Sequence, residues 1–185
     1  MDKYFELSIG NFKKKLRLCK IDDDLYIAAF IMFGEVELTI ECARLLLEAA
    51  PDFDVLITAE SKGIPLIYEM SKQSGKKYLV ARKNKKLYMD NPISVDVKSI
   101  TTSFVQTLYI DQSDISLIKD KRVLIVDDVI STGESIKTLQ QLILKAGGKI
   151  AGIFAVLAEG DAANRDDIYY LSKLPLFNSK GEVRT

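Results

Sequence analysis

The apolar positions of this chain fall into short buried runs and helical repeats that follow one another in a regular rhythm. Val123 to Val126 are consecutive apolar residues that run into two acids, Asp127 and Asp128. Val129 and Ile130 come next, then a small hydroxyl-rich turn, Ser131-Thr132-Gly133-Glu134-Ser135. A helical repeat over 136–146 carries Leu139, Leu142 and Ile143 on one face, Gly147-Gly148 stops it, and 150–157 reads as another buried strand. The same alternation occurs upstream. Residues 35–50 predict a helix, with acids in its first turn, apolar residues at Val36, Ile40, Ala43 and Leu47, and Pro51 beyond its end. Residues 54–59 predict a short buried strand, 60–63 a turn, 64–74 a second helix with Pro65 in its first turn, and 78–81 a further strand. Strand, loop, helix, strand in this order is the βαβ rhythm of an α/β fold, a parallel sheet flanked by helices.

Several segments break that rhythm. Over residues 1–33, Phe5, Leu7 and Ile9 alternate with polar residues, and Leu16, Leu18 and Ile21 follow a basic run; the pattern is open to short strands or to an extended arm covering a site. Residues 84–104 contain an Asn91-Pro92 turn and an alternation of Ile93, Val95 and Val97, read as a two-stranded excursion whose second arm continues to Ile110. A long excursion beside a site is a candidate lid. Residues 111–120 read as a polar connector. Ile168 to Leu171 packs again, Leu174-Pro175-Leu176-Phe177 reads as an edge strand, and 178–185 as a frayed end.

At 185 residues the chain is long enough for one well-buried domain and little more, so 1–185 is read as a single domain without internal repeats. Basic and acidic residues balance at 26 each, which gives no electrostatic reason to expect binding to nucleic acid or a membrane surface. There is no histidine, and that removes Ser-His and Cys-His nucleophilic systems and histidine-ligated metals together. Catalysis must then fall to carboxylates, Lys, Arg, Tyr, backbone dipoles or a metal carried by the substrate. Cys19 and Cys42 are far apart without metal-ligand spacing, as expected of reduced thiols. The N-terminal segment has no apolar core of signal-peptide length, and the apolar run 25–33 is too short to span a bilayer, so a cytoplasmic protein is expected.

In a parallel sheet, ligands sit beyond the carboxyl ends of the strands. Three loops of interest follow such ends: 60–63, Arg82-Lys83 and 127–135. In the last, a buried strand ends in paired carboxylates and a tight turn opens a helix. Backbone N–H groups at that turn, with the helix dipole behind them, form an anion site suited to a phosphate monoester, and the acids beside it can accept from sugar hydroxyls. A phosphorylated sugar is the ligand this combination suggests. A nucleoside-triphosphate P-loop needs Gly-Lys-Ser/Thr after its turn, and Gly133 is followed by Glu134-Ser135. A two-component receiver domain also has a strand ending in acids, but near its start, and too little chain follows Asp128 to complete one. A dinucleotide site would need Gly-x-Gly-x-x-Gly, which is missing here.

The stretch VLIVDDVISTGES, residues 123–135, resembles the phosphoribosyl-pyrophosphate (PRPP) binding motif of the type I phosphoribosyltransferases: two acids, two or three variable residues, Thr-Gly, and a small or hydroxyl residue. The resemblance extends over roughly residues 54–177. Glu60-Ser61-Lys62-Gly63 resembles the family's pyrophosphate loop, which often carries a non-proline cis peptide. Arg82-Lys83 resembles a pair found in the adenine and xanthine members. Leu157-Ala158-Glu159, Asn164-Arg165 and Leu174–Phe177 resemble the C-terminal part of adenine-type enzymes, and the segment 81–102 is similar to the xanthine enzyme.

The resemblance implies a Rossmann-like type I phosphoribosyltransferase fold, with 1–33 as a hood or N-terminal arm and 84–104 as a flexible lid. The implied reaction is transfer of 5-phosphoribose from PRPP to a purine base of adenine or xanthine type, with release of pyrophosphate. Mg2+ would be bound mainly through PRPP, with no dedicated protein metal site. Homodimerisation is implied, without nucleic-acid or membrane partners. Asp127 and Asp128 would bind the ribose hydroxyls as catalytic residues, directly or through magnesium water. Ser131, Thr132, Gly133, Glu134 and Ser135 would hold the 5′-phosphate. Ser61, Lys62, Gly63, Arg82 and Lys83 would hold pyrophosphate, with Lys85 or Lys86 reaching it. Val129 or Ile130, together with Glu159, would contact the base. Two departures stand out. Glu134 puts a carboxylate beside the proposed phosphate, and Ser131 stands where the hypoxanthine-guanine enzymes carry an aspartate. A regulator of the same fold that senses PRPP without catalysis is the alternative.

Overall fold

The computed structural model describes residues 3–98 and 105–184. The N-terminal pattern resolves into strands. β1 (Tyr4–Ile9) and β2 (Phe12–Lys20) pair antiparallel, and β2 pairs with the short β3 (Tyr26–Ala28). Leu7, Ile9, Leu16 and Leu18 are the buried face that this alternation predicts. After α1 (Val36–Ala49) come β4 (Val55–Ala59), α2 (Ile64–Ser74) and β5 (Lys77–Ala81). An antiparallel hairpin of β6 (Ile93–Lys98) and β7 (Val105–Ile110) follows, then α3 (Gln112–Ile118), β8 (Arg122–Ile130), α4 (Glu134–Lys145), β9 (Lys149–Glu159), a 3-10 turn over Gly160–Asn164, and β10 (Tyr169–Leu174).

Five strands form one parallel sheet in the order β10-β9-β8-β4-β5. From β4 the chain steps outward to β5, whereas from β8 it steps the other way, through β9 to β10. The strand order therefore reverses between β4 and β8, and the loops leaving those neighbours diverge and open a crevice. One face of the sheet packs Leu56, Leu124, Val126 and Val156 against α1, α2 and the N-terminal strands. The other packs Val55, Ile57, Val123, Ile125 and Ile153 against α4, β7 and Ile118 of α3. Both faces are covered, which explains why these strands are apolar runs and do not alternate.

The βαβ expectation and the hairpin are borne out, and α2 has the predicted bounds: Pro65 opens it and Gly75, at φ 68°, closes it. Other expectations need correction. Residues 111–120 are not merely a connector. Asp111 caps α3, its carboxylate accepting from Gln112 N–H at 2.7 Å, and Ile118 anchors the helix in the core. The edge strand ends at Leu174, before Pro175, whose missing N–H cannot extend the ladder. Phe177 pairs with Tyr26, the two exchanging backbone bonds of 2.8 and 2.9 Å. The C-terminal residues are not frayed through 184, because Asn178 Oδ1 accepts from Lys180 and Glu182 N–H, and Arg184 N–H bonds Leu176 O at 2.8 Å. Of the predicted lid 84–104, residues 99–104 lie outside the described residues. The hairpin base is tied to the sheet by the mutual backbone bonds of Arg82 and Tyr109, and to α4 by Lys145 Nζ donating to Ser94 O at 2.8 Å. No helix among the described residues is long and apolar enough to cross a membrane.

Candidate active site

β8 carries its apolar run to the crevice and ends there in acids. Asp127 is half-buried and Asp128 is only 4% exposed. The Asp128 N–H donates to Asp127 Oδ1 at 3.0 Å. Burial raises the Asp127 carboxyl well above the ordinary range, and the neighbouring Asp128 charge adds to this, with Lys83 opposing. Burial also raises Asp128, while its contact with Asp127 and the charge of Lys62 pull the other way. Asp128 Oδ2 is buried without a hydrogen-bond partner among the described residues. A buried acceptor of this kind is costly in the free protein and becomes useful when a donor arrives.

Across the crevice, β4 ends at Ala59 and the Glu60–Ser61 peptide is cis. Gly63 begins α2 against the acid pair. A Cβ added there would lie 2.5 Å from Thr58 Oγ1 and 3.2 Å from Asp127 Oδ1, so only glycine lets this turn touch the Asp127 carboxylate. Glu60 draws the cationic loop after β5 toward the same place. Its carboxylate accepts from Lys83 N–H at 3.1 Å and lies 3.8 Å from both Arg82 Nη1 and Lys86 Nζ. The sequence marks Glu60 as part of a turn that resembles a pyrophosphate loop, but gives no sign of its role in gathering these cations.

The third side is the start of α4. Gly133 takes the left-handed conformation at φ 75°, as the Thr-Gly turn requires, and the helix begins at Glu134. N–H groups in a first helical turn have no partner within the helix, so this end can receive an anion.

Ser61, Lys62, Lys83, Asp127, Asp128, Val129, Ser131, Ser135 and Glu159 all line one cleft of about 430 Å3. The cleft is closed on its fourth side by residues 27–31, with Cys19 and Leu174. That wall had only one signal in the sequence, the apolar run 25–33. Burial raises the Glu159 carboxyl, with Lys62 opposing. Ile130 does not join the cleft. It is 1% exposed in the core under α4, on the opposite side of the strand from Val129. Arg82 and Lys86 stand behind the lining, on Glu60.

The chain is similar to proteins already known. Residues 37–180 match the phosphoribosyl transferase domain family. The chain is 35% identical over 107 residues to adenine phosphoribosyltransferase of Petrotoga mobilis, covering 55% of this chain and 56% of that one. It is 33% identical over 119 residues to hypoxanthine/guanine phosphoribosyltransferase of Methanocella paludicola (64% and 59%), and 31% identical over 114 residues to xanthine phosphoribosyltransferase of Bacillus licheniformis (61% and 58%). The chain thus spans 56–59% of the length of these curated relatives. The crystal structure of adenine phosphoribosyltransferase from Rhodothermus marinus superposes with a TM-score of 0.64 at 18% identity, over 93% of this chain and 94% of that one, which is a likeness of fold. With the family match running from the second residue of α1 to beyond β10, and with the acid pair, the Thr-Gly turn and the cis loop facing one another across the crevice, the chain belongs to the phosphoribosyl transferase domain family.

Proposed function

We propose that this protein transfers 5-phosphoribose from PRPP to a purine base of adenine or xanthine type, releasing pyrophosphate. The observation that carries the proposal is the opposition, across one cleft, of two adjacent carboxylates, one half-buried and one buried, a helix N-terminus and a cation-bearing loop. Each suits one part of PRPP. The turn Ser131–Ser135 suits the 5′-phosphate, Asp127 and Asp128 suit the ribose hydroxyls, and Ser61, Lys62 and Gly63 with Arg82, Lys83 and Lys86 suit the pyrophosphate. Val129 and Glu159 line the remaining space with the 27–31 wall, where the base would lie.

In this reading the protein's work is positioning and electrostatics. The cations hold the departing pyrophosphate while the carboxylates face the cationic ribose that forms as the bond breaks. Asp128 Oδ2, which has no partner among the described residues, is an acceptor that suits the O–H of a sugar hydroxyl or of a water on substrate-bound magnesium. When bound through PRPP, Mg2+ would supply charge neutralisation on the pyrophosphate oxygens. The chain acts as one domain, with 1–33 as hood and 84–104 as a lid over the pyrophosphate side. A cytoplasmic setting belongs to the same reading and accords with Cys19 and Cys42 both being free thiols.

The test is pyrophosphate release from PRPP in the presence of adenine, xanthine, guanine, hypoxanthine, orotate and uracil in turn. Turnover with adenine or xanthine is expected. Retained PRPP binding without turnover on any base would favour the non-catalytic sensor and sink the transferase reading.

Homodimerisation belongs to the same proposal and is supported by an apolar band outside the cleft. Val36 and Tyr68 are 66% and 56% exposed and border one shallow groove with Ile40, and Phe33, also exposed, precedes it. Contiguous exposed apolar surface of this kind is what subunit contacts cover. Sedimentation velocity is expected to find a dimer for the wild type and a monomer for the double variant Val36→Glu, Tyr68→Asp. A wild-type monomer at micromolar concentration would refute the pairing.

A further inference from the structure

The proposed phosphate cradle has a peculiarity of charge. The turn Ser131–Ser135 contains no cation, and its one ionisable side chain is Glu134. A phosphate monoester brings about 1.5 to 2 negative charges at neutral pH. Backbone N–H groups and a helix dipole of about half an elementary charge must then hold that anion next to a carboxylate.

A cation reaches the cradle from a distant part of the chain. Arg165 follows the 3-10 turn after β9, and its side chain rests on Gly133. The contact is close enough that a Cβ on Gly133 would collide with Arg165 Nη1. Gly133 is therefore needed twice, once for its left-handed φ and once for the space its missing side chain leaves to a guanidinium. The orientation of Arg165 is held from behind. Its Nε and Nη2 donate to Asp167 Oδ1 and Oδ2 at 2.8 and 2.7 Å, a two-pronged pairing that fixes the guanidinium plane. This pairing uses one edge of the fork and leaves Nη1 on the Gly133 side. The side chain of Arg165 is 25% exposed while that of Asp167 is 50% exposed, so the cation sits toward the protein and its counter-ion toward solvent.

As a surface ion pair, Arg165–Asp167 would contribute little to stability. Its geometry suits another use. Arginine's planar fork matches phosphate oxygens, and holding the side chain in place beforehand lowers the ordering cost of binding. We propose that Arg165 is a further binding residue for the 5′-phosphate, donating from Nη1 over Gly133 and offsetting Glu134, with Asp167 as its positioning residue. The inference rests on the reading of 131–135 as the phosphate cradle.

The experiment is isothermal titration calorimetry of the full chain with ribose 5-phosphate and, separately, with pyrophosphate in the presence of Mg2+, on the wild type, Arg165→Gln, Arg165→Lys and Asp167→Asn. Arg165→Gln is expected to weaken ribose 5-phosphate by about tenfold or more, as loss of a charged hydrogen bond does, and to leave pyrophosphate affinity within about twofold. Arg165→Lys, which keeps the charge without the fork, should fall between. Asp167→Asn, which leaves the guanidinium in place but loosens it, should cost less than Arg165→Gln. Undiminished binding of ribose 5-phosphate by Arg165→Gln, or an equal loss for both ligands, would overturn the assignment. Should the Gln variant fail to fold, unchanged ribose 5-phosphate affinity in Arg165→Lys and Asp167→Asn together would overturn it as well. Wild-type protein that binds pyrophosphate but not ribose 5-phosphate overturns the cradle reading itself, and this inference with it.

Discussion

Asp128→Asn is expected to lower phosphoribosyl transfer by about tenfold or more while the protein stays folded. The carboxylate is 4% exposed, one oxygen has no partner among the described residues, and it faces the cleft beside the phosphate cradle. An amide keeps the shape and removes the charge, so the loss should fall on turnover. The same substitution has a second, opposite effect. Burial raises the Asp128 carboxyl above its ordinary 3.8, so the folded state holds its proton more tightly than the unfolded chain. For an acid shifted upward, stability falls as pH rises from about 4 through the raised value. Asparagine cannot ionise and escapes this penalty. Thermal unfolding at pH 7 should therefore find the variant as stable as the wild type or more so, with the difference shrinking toward pH 4. A variant that is equally active, or that is inactive because it unfolds, would remove Asp128 from the reaction.

Gly63→Ala should injure both stability and activity. The backbone at Gly63 is ordinary right-handed helix, φ −72°, so conformational strain is not the cause. The added methyl meets Thr58 Oγ1 at 2.5 Å, and Thr58 is fully buried in β4. Overpacking of this kind costs about 1–3 kcal/mol, or a fall in Tm of roughly 2–12 °C for a chain of this size. Relief in the other direction pushes the loop toward Asp127, 3.2 Å away, and disturbs the carboxylate pair. Differential scanning calorimetry and PRPP turnover measured together test this. An alanine variant with wild-type Tm and rate would mean that the turn has slack that the geometry denies it.

Much of this was legible in the residues because the physics is local. The buried runs of β4 and β8 are apolar because helices cover both faces of their sheet, and each ends where its polar loop begins. Pro65 and Gly75 bracket α2, and the alternation of Ile93 and Val95 marks the hairpin. The acid pair with its Thr-Gly turn announces an anion site from a short stretch of chain. What was not legible depends on contacts between distant residues or on one weak local term. The α3 helix is seven residues long, capped at Asp111, with Ile118 buried and Ile115 and Leu117 only partly so, too short a stretch for a periodic signal. Val129 and Ile130 looked equivalent as base contacts, but neighbours on a strand face opposite sides, and only Val129 reaches the cleft. Glu60 touches cations more than 20 residues away, and Arg165 touches a glycine more than 30 residues back. No pattern along the chain encodes either.

The bridge between Tyr26 and Phe177 gives the cleft an order of assembly. Apart from Arg165, the residues proposed for phosphate and pyrophosphate lie between Glu60 and Ser135, and these leave the ribosome before Phe177 does. The 27–31 wall emerges earlier still, but β3, which leads into it, is only three residues long, and Tyr26 at its start exchanges backbone bonds with Phe177. The ring of Phe5 in β1 also packs on that of Phe177, with centroids 5.3 Å apart. Until Phe177 is made, the contact that fastens the start of that wall is missing. The segment at Tyr26 is fastened by one made much later, and the base side of the pocket gains this support only then.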